Sequence, residues 1–228
     1  MTARALAIPL DLEARARQSL GVSHAALYAM VASAVERHGG AGGRLLDVGC
    51  GRGDLHHVVA HLVGSYAGVD AVRYEAWPAE CEFRHADLDS VEWPGVEGGA
   101  DVVVAVETIE HLENPWAFLR RLGALVVPGG LVIVTTPNQL SLLNLVTLAI
   151  RRRHSAFQDV HYPAHRTALL ESDLVRCAHA AQLDVVEIRH SGWGRLPLVP
   201  WHYPGWLAAT WPRRLSDNVM LVARKPHV

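Results

Sequence analysis

Apolar positions in this chain follow two alternating spacings. Within residues 1–38, His24, Leu27, Tyr28, Val31 and Val35 recur at helical intervals, predicting two helical segments that end at the glycine-rich joint His38-Gly-Gly-Ala-Gly-Gly43. Short continuous apolar runs follow at Arg44–Val48, Tyr66–Val69, the weaker Glu82–His85, Asp101–Val106 and Leu131–Thr135. The β-branched run Asp101-Val-Val-Val-Ala-Val106 has the pattern of a strand covered on both faces. Between these runs the pattern predicts helices from Asp54 to about Val63, from Asn114-Pro115 to near Pro128-Gly-Gly130, and over residues 171–182. Asn114 suits a helix cap and Pro115 the first helical position. Strands at Asp184–Arg189 and Asn218–Ala223 complete the series, and the regular alternation predicts a doubly wound α/β sheet.

Two stretches break the alternation. Residues 138–166 and 192–217 are long connections, and the second holds four of the seven tryptophans, Trp193, Trp201, Trp206 and Trp211. Long connections in a domain of this size serve as lids or binding loops, so both are expected on the substrate side. The expected organisation is one domain over 1–228, with a helical cap at 1–40 and these two insertions.

Composition narrows the class. Half of the 228 residues are hydrophobic, which excludes disorder, and the formal charge of -2 excludes a nucleic-acid clamp driven by bulk electrostatics. The apolar runs are too short to span a bilayer. Three scattered cysteines, Cys50, Cys81 and Cys177, imply no disulfide framework, and residues 1–11 lack the apolar core of a signal peptide. The expected compartment is the cytoplasm, with the protein a monomer or homodimer.

The most informative segment is Leu45-Leu-Asp-Val-Gly-Cys-Gly-Arg-Gly-Asp-Leu55. A strand that runs into a glycine-rich turn and then a helix brings backbone N–H groups close to a ligand, and a Cβ there would block that approach. Asp70 follows Gly49 by 21 residues, at the end of the next strand, where a carboxylate can accept ribose hydroxyls. Together they indicate an adenosine-containing ligand. A dinucleotide fingerprint needs a third glycine where Asp54 stands. The observed Gly-x-Gly-x-Gly, with Asp47 two residues before it, suits instead a cofactor bearing an amino group and a sulfonium. Cys50, set between two glycines, reads as a small loop residue rather than a nucleophile.

These residues, with Gly68-Val-Asp70, Ala86-Asp-Leu88, Val106-Glu-Thr-Ile-Glu-His-Leu112, Pro128-Gly-Gly130 and Thr136-Pro-Asn138, resemble the motifs of class I S-adenosylmethionine-dependent methyltransferases. The resemblance covers roughly residues 25 to 225. It implies a Rossmann-like seven-stranded sheet of order 3-2-1-4-5-7-6 with its last strand antiparallel. It also implies that Gly49, Cys50, Gly51 and Gly53 line the methionine and ribose portion, with Asp47 nearby. Asp70 and Ala71 would meet the ribose, Asp87 and Leu88 the adenine, and Glu107 would also contact cofactor. The implied cofactor is S-adenosyl-L-methionine, with S-adenosyl-L-homocysteine as product.

Glu107, Glu110 and His111 fall at i, i+3 and i+4 after the fourth strand, where one helical turn would present all three on one side. Such a set forms a general base with its orienting group, binds a divalent cation, or braces the turn. The segment resembles those of ubiquinone-pathway O-methyltransferases and of small-RNA 2'-O-methyltransferases, which add a further histidine to hold a metal. His161 and His165 are the candidates for that addition; an appended basic or aromatic RNA-binding module is not expected, which weakens the RNA reading. The reading adopted makes His111, with Glu107 and Glu110, catalytic without metal. The expected acceptor is a small molecule methylated on a hydroxyl oxygen, apolar, aromatic or a sugar, given the apolar stretch Leu140–Ile150 and the tryptophans; nucleic acid is not expected as a partner. The same stretch, ending in Arg151-Arg-Arg-His154, also suits peripheral contact with a membrane. Methylation on nitrogen or carbon, a non-catalytic binding role and a nicotinamide-dependent oxidoreductase are the alternatives.

Overall fold

Five-residue β1 (Arg44–Val48) lies mid-sheet because every residue after Arg44 is buried and both edges are paired. This computed structural model describes residues 12–197 and 199–227. Strand β1 pairs in parallel with β2 (Ser65–Asp70) on one side and β4 (Ala100–Ala105) on the other. Beyond β2 lies β3 (Glu82–His85), and beyond β4 lies β5 (Val126–Pro137). Then β7 (Asn218–Arg224) inserts antiparallel between β5 and β6 (Asp184–His190), giving the order β3-β2-β1-β4-β5-β7-β6. The expected topology is observed, and it is that of the methyltransferase-type Rossmann-like sheet.

Helices cover both faces, which is why the central strands carry near-continuous Val, Ile and Leu. On one face α4 (Pro115–Leu125) and α6 (Glu171–Ala180) bury Phe118, Leu119, Leu122 and Leu174 against Val103, Val132 and Leu221. On the other, α2 (Ala25–Arg37) and α3 (Asp54–Val59) bury Leu27, Val31, Val35 and Leu55 against Leu45, Val102 and Ile133. Asn114 caps α4 as expected, accepting the Ala117 N–H at 2.9 Å.

Some boundaries differ from the sequence pattern. Helix α3 stops at Val59, because residues 60–64 must turn back into β2. Helix α6 ends at Ala180, and Gln182, at φ +59°, reverses the chain. Strand β5 starts at Val126, so Pro128-Gly-Gly130 lies inside it, accommodated by a register shift against β4. At the N-terminus α1 (Leu12–Gln18) precedes α2; the part of the expected cap at 1–11 lies outside the described residues.

The two long connections pack together. The first forms α5 (Leu142–Arg151) and two single 3-10 turns, Ser155–Phe157 and Asp159–His161. The second forms α7 (Gly205–Thr210) and α8 (Pro212–Leu215). Asn138 joins them, its side-chain N–H groups donating to the carbonyls of Arg213 (2.8 Å) and Ser216 (2.9 Å). No helix among the described residues is long and apolar enough to cross a membrane.

Candidate active site

Strands β1 and β4 are neighbours whose following connections leave in opposite directions, and a crevice opens at their carboxyl ends. Two adjoining cavities occupy it, of about 340 and 490 Å³. They share His24, Leu27, Glu107, His165 and Asn218 in their walls.

The first cavity lies over the glycine loop. Gly49 and Gly51 both line it at positive φ (+76° and +50°). A Cβ on Gly49 would fall 2.3 Å from Thr108 Oγ1, and one on Gly51 2.3 Å from the Gly21 carbonyl oxygen, so neither position admits a side chain without displacement. Asp70 closes β2; its Oδ2 accepts the Gly51 N–H (2.8 Å) and its Oδ1 the Val72 N–H (3.1 Å). Burial raises its pKa, opposed by those amides and that of Ala71. Asp47, 2 % exposed, accepts the Tyr66 hydroxyl on Oδ2 at 2.5 Å, while its Oδ1 is buried with no partner. Burial pushes its pKa up to about 7 against the Tyr66 hydrogen bond, with Asp70 adding to the rise.

A buried acceptor without a donor costs free energy, and a cationic amino group is the donor type that relieves it. The glycine cradle, Asp70 and Asp47 thus fit S-adenosylmethionine. Cys50, Ala71, Leu88 and Glu107 also line this cavity, as expected. Two expected residues do not. Gly53 caps α3 at φ +83°, turned toward Pro78 and Trp77, and the Asp87 carboxylate accepts the Asp89 N–H at 3.0 Å. Gly53 thus serves the start of α3, while Asp87 uses Oδ1 in a local turn.

Glu107, Glu110 and His111 do not project as one set. The helical turn is a 3-10 turn confined to Ile109–His111, and Glu107 precedes it at φ +49°. That unusual conformation, worth about 1–3 kcal/mol of strain, sends the Glu107 carboxylate toward the far strands. Its Oε1 accepts from Thr135 (3.0 Å) and its Oε2 from Asn218 (2.7 Å). Glu110 is buried, with Oε2 accepting from Thr136 (3.1 Å) and Oε1 unpartnered. Burial raises the pKa of both acids, and the Glu107 charge raises that of Glu110 further.

His111 Nδ1–H donates to the Ala164 carbonyl at 2.9 Å; a carbonyl only accepts, so the Nε2 lone pair is left for other work. Burial lowers its pKa, opposed by the carbonyls of Ala164 and Glu107. Next to it stands His165, ring centroids 4.7 Å apart, with its pKa pushed down to about 4 by burial and then by His111. Glu110, His111 and His165 each offer a ligand atom within 4.8 Å of the others, so a metal could be held by these three. His161 stacks on His165 (5.5 Å, 24°) outside that trio.

The wall of the second cavity carries more ionisable and amide side chains than the sequence suggests. His24, His161, His202, Asn144, Arg195 and Asp217 stand in its wall beside Trp193. Trp193 is clasped by His24 (3.8 Å) and His202 (4.1 Å), both edge-on. Trp201, Trp206 and Trp211, expected to face the acceptor, are instead exposed by 69, 74 and 61 % on the outer side of the second insertion. Sequence reasoning also missed Asn218 and Thr135, which reach the site only through strand pairing, and His24, which caps α2 through Nδ1.

The protein-family model described as a methyltransferase domain matches residues 24–188. The chain is 35% identical over 108 residues to a ubiquinone biosynthesis O-methyltransferase of Ruegeria pomeroyi, covering 43% of each chain. It is 30% identical over 167 residues to that of Cupriavidus pinatubonensis, covering 65% of this chain and 63% of the relative. The alignments thus span less than two thirds of these relatives. The solved Burkholderia thailandensis 1,6-didemethyltoxoflavin-N1-methyltransferase, with its substrate and S-adenosylhomocysteine bound, shares the fold at TM-score 0.65 and 17% identity, over 99% of this chain and 94% of that one. A family match of this extent, on this sheet, makes the chain a member of the class I S-adenosylmethionine-dependent methyltransferases.

Proposed function

We propose that this protein transfers the methyl group of S-adenosylmethionine to a hydroxyl oxygen of a small molecule held in the second cavity. The observation that carries the reading is the junction of the two cavities. The glycine loop, Asp47 and Asp70 face one side, a chamber with Trp193 and several imidazoles in its wall lies on the other, and Glu107, His165 and Asn218 stand in both walls. When bound, the cofactor supplies a methyl carbon already activated for displacement. Asp47 receives the amino group and Asp70 the ribose hydroxyls, so that the two reactants are positioned against each other. His111, neutral by burial and fixed by Ala164, accepts the hydroxyl proton at Nε2. The relatives named for ubiquinone biosynthesis support oxygen as the receiving atom.

Trp193 and the surrounding imidazoles favour a ring bearing hydroxyls, aromatic or sugar, over a purely apolar acceptor. Incubation with labelled cofactor and a panel of catechols, phenols, sugars and amines tests this. Label appearing only on nitrogen or carbon acceptors refutes the hydroxyl assignment.

A second reading has its own observation. Glu110 Oε1 and His165 Nδ1 are both buried and unpartnered, and His111 completes a trio of ligating groups. A divalent cation there would orient the acceptor oxygen, with Glu110, His111 and His165 as ligands. Calorimetric titration with Mg²⁺, Mn²⁺ and Zn²⁺ distinguishes the readings: heat of binding lost in H165A supports the metal, and none in the wild type excludes it. The exposed Leu148 and Ile150 of α5, beside Arg151–Arg153, also support contact with an anionic membrane surface, which vesicle sedimentation tests.

A further inference from the structure

The cofactor cavity is roofed by a strap. Leu12, Arg15, Ala16 and Ser19, all in or just after α1, line it opposite the glycine loop. The strap's carboxyl end is pinned to that loop, the Arg52 N–H donating to the Gly21 carbonyl (3.0 Å) and Arg52 Nε to the Leu20 carbonyl (3.1 Å). Leu20 and Gly21 both stand at φ +61°, a sharp joint. The body of α1 is held by other contacts, at a distance from this pin.

The Tyr74 hydroxyl holds the strap through the Ala16 carbonyl (3.2 Å), and a second holding group is Asp89, which lies outside both cavity walls. Its Oδ2 accepts from Arg15 Nη2 at 2.9 Å, each side chain only 15 % exposed. Its Oδ1 accepts the N–H of Glu113, two residues beyond His111, at 2.8 Å. Arg166, the neighbour of His165, stands 3.6 Å from Oδ2 and pairs with Glu113. The same segment is joined to the 3-10 turn by its backbone, Arg166 and Thr167 N–H both donating to the Glu110 carbonyl (2.8 and 3.0 Å). Gln18 of the strap adds weaker contacts to the carbonyls of Val160 and Tyr162. One carboxylate therefore ties the cofactor's roof, the turn bearing Glu110 and His111, and the segment bearing His165.

We propose that Asp89 is a positioning residue, a latch through which closure of the α1 strap over the cofactor seats the Glu110–His111–His165 group. The inference rests on the methyltransferase reading. An exposed pair would contribute little, but a shared, half-buried carboxylate contacted from three segments has two arrangements that a ligand can bias. With the strap down, Arg15 and Arg166 share the charge and Gln18 reaches Val160 and Tyr162; with Arg15 released from Asp89 the strap lifts, the Gln18 contacts are lost, and residues 158–168 loosen. Cofactor binding then prepares the acceptor side before the acceptor arrives.

Hydrogen exchange reads this without knowledge of the acceptor. S-adenosylhomocysteine is added to the wild type, D89N and R15Q, with its affinity for each measured by calorimetry. In the wild type, exchange slows in residues 12–22, 49–53 and 158–168, the last by about fivefold or more, the lower end of measured couplings between sites. In D89N and R15Q the slowing at 49–53 remains while that at 158–168 is lost, and D89E restores it. R15Q leaves the Glu113 and Arg166 contacts in place, so its effect is separate from any unfolding of the turn. Protection of 158–168 that persists in both variants, or is absent from the ligand-bound wild type, overturns the latch alone. A wild type that binds no S-adenosylhomocysteine overturns the methyltransferase reading beneath it.

Discussion

Asn218 donates its side-chain amide to Glu107 Oε2 at 2.7 Å, joining the start of β7 to the second residue past β4 across 111 positions of sequence. With Thr135 on the other oxygen, the carboxylate is held from two sides while its backbone remains at φ +49°. Replacing Asn218 by Ala removes a hydrogen bond from a buried acid and should cost about 1–3 kcal/mol of stability. Denaturant unfolding checks this; N218A unfolding at the wild-type midpoint would show that the Asn218 bond adds nothing to the fold.

Gly51→Val places a side chain against the Gly21 backbone at a positive φ, on the face that meets the cofactor. The dissociation constant for S-adenosylhomocysteine should rise at least tenfold, a loss of about 1.4 kcal/mol or more. Calorimetry measures it directly, and an unchanged constant would remove the loop from the binding site.

Asp47, with a pKa near 7 in the fold against about 3.9 in an unfolded chain, binds a proton over that window that the unfolded state does not. Its contribution to stability is full below about pH 4 and is lost as pH rises through 7. The sign for ligand is opposite, because an amino group favours the ionised form. S-adenosylhomocysteine affinity should therefore fall as pH drops below 7, by up to about tenfold per unit, with proton release on binding. Titrations in two buffers of different ionisation heat reveal that proton; its absence would mean the amino group is held elsewhere.

His111→Ala should lower kcat by about 10²–10⁴ while S-adenosylhomocysteine affinity stays within about threefold. Since burial lowers the His111 pKa, the acid limb of the wild-type rate profile should lie below 6.5, activity being gained as pH rises through it. Full activity in H111A would leave His111 only its bond to Ala164.

The parts of this site that were legible in the sequence are local. Asp47, Gly49, Gly51 and Asp70 are positioned by one strand–turn–helix unit and the strand after it, so spacing alone locates them. The alternation of strands and helices was legible for a related reason, since the buried runs are short and rich in β-branched residues, whereas the order of the strands came with the family resemblance and not from the pattern itself. Asn218, Thr135 and Asp89 act at the site through partners 24 to 111 residues away, which no local pattern records. The tryptophans misled because composition reveals an aromatic loop but not which side of it faces outward. Glu107 misled because i, i+3, i+4 spacing assumes a helix that begins only at Ile109.

Strand β7 enters the sheet running against its neighbours, so its first residue, rather than its last, arrives at the crevice. It also follows every other strand among the described residues. A polypeptide emerging from the ribosome can thus build the nucleoside-facing half early, from β1, β2 and β4, yet leaves the outer edge of β5 unpaired and the wall between the two chambers unfinished until residues 218–224 are free to fold. A protein cut short before Asn218 would leave the outer edge of β5 open, a target for aggregation.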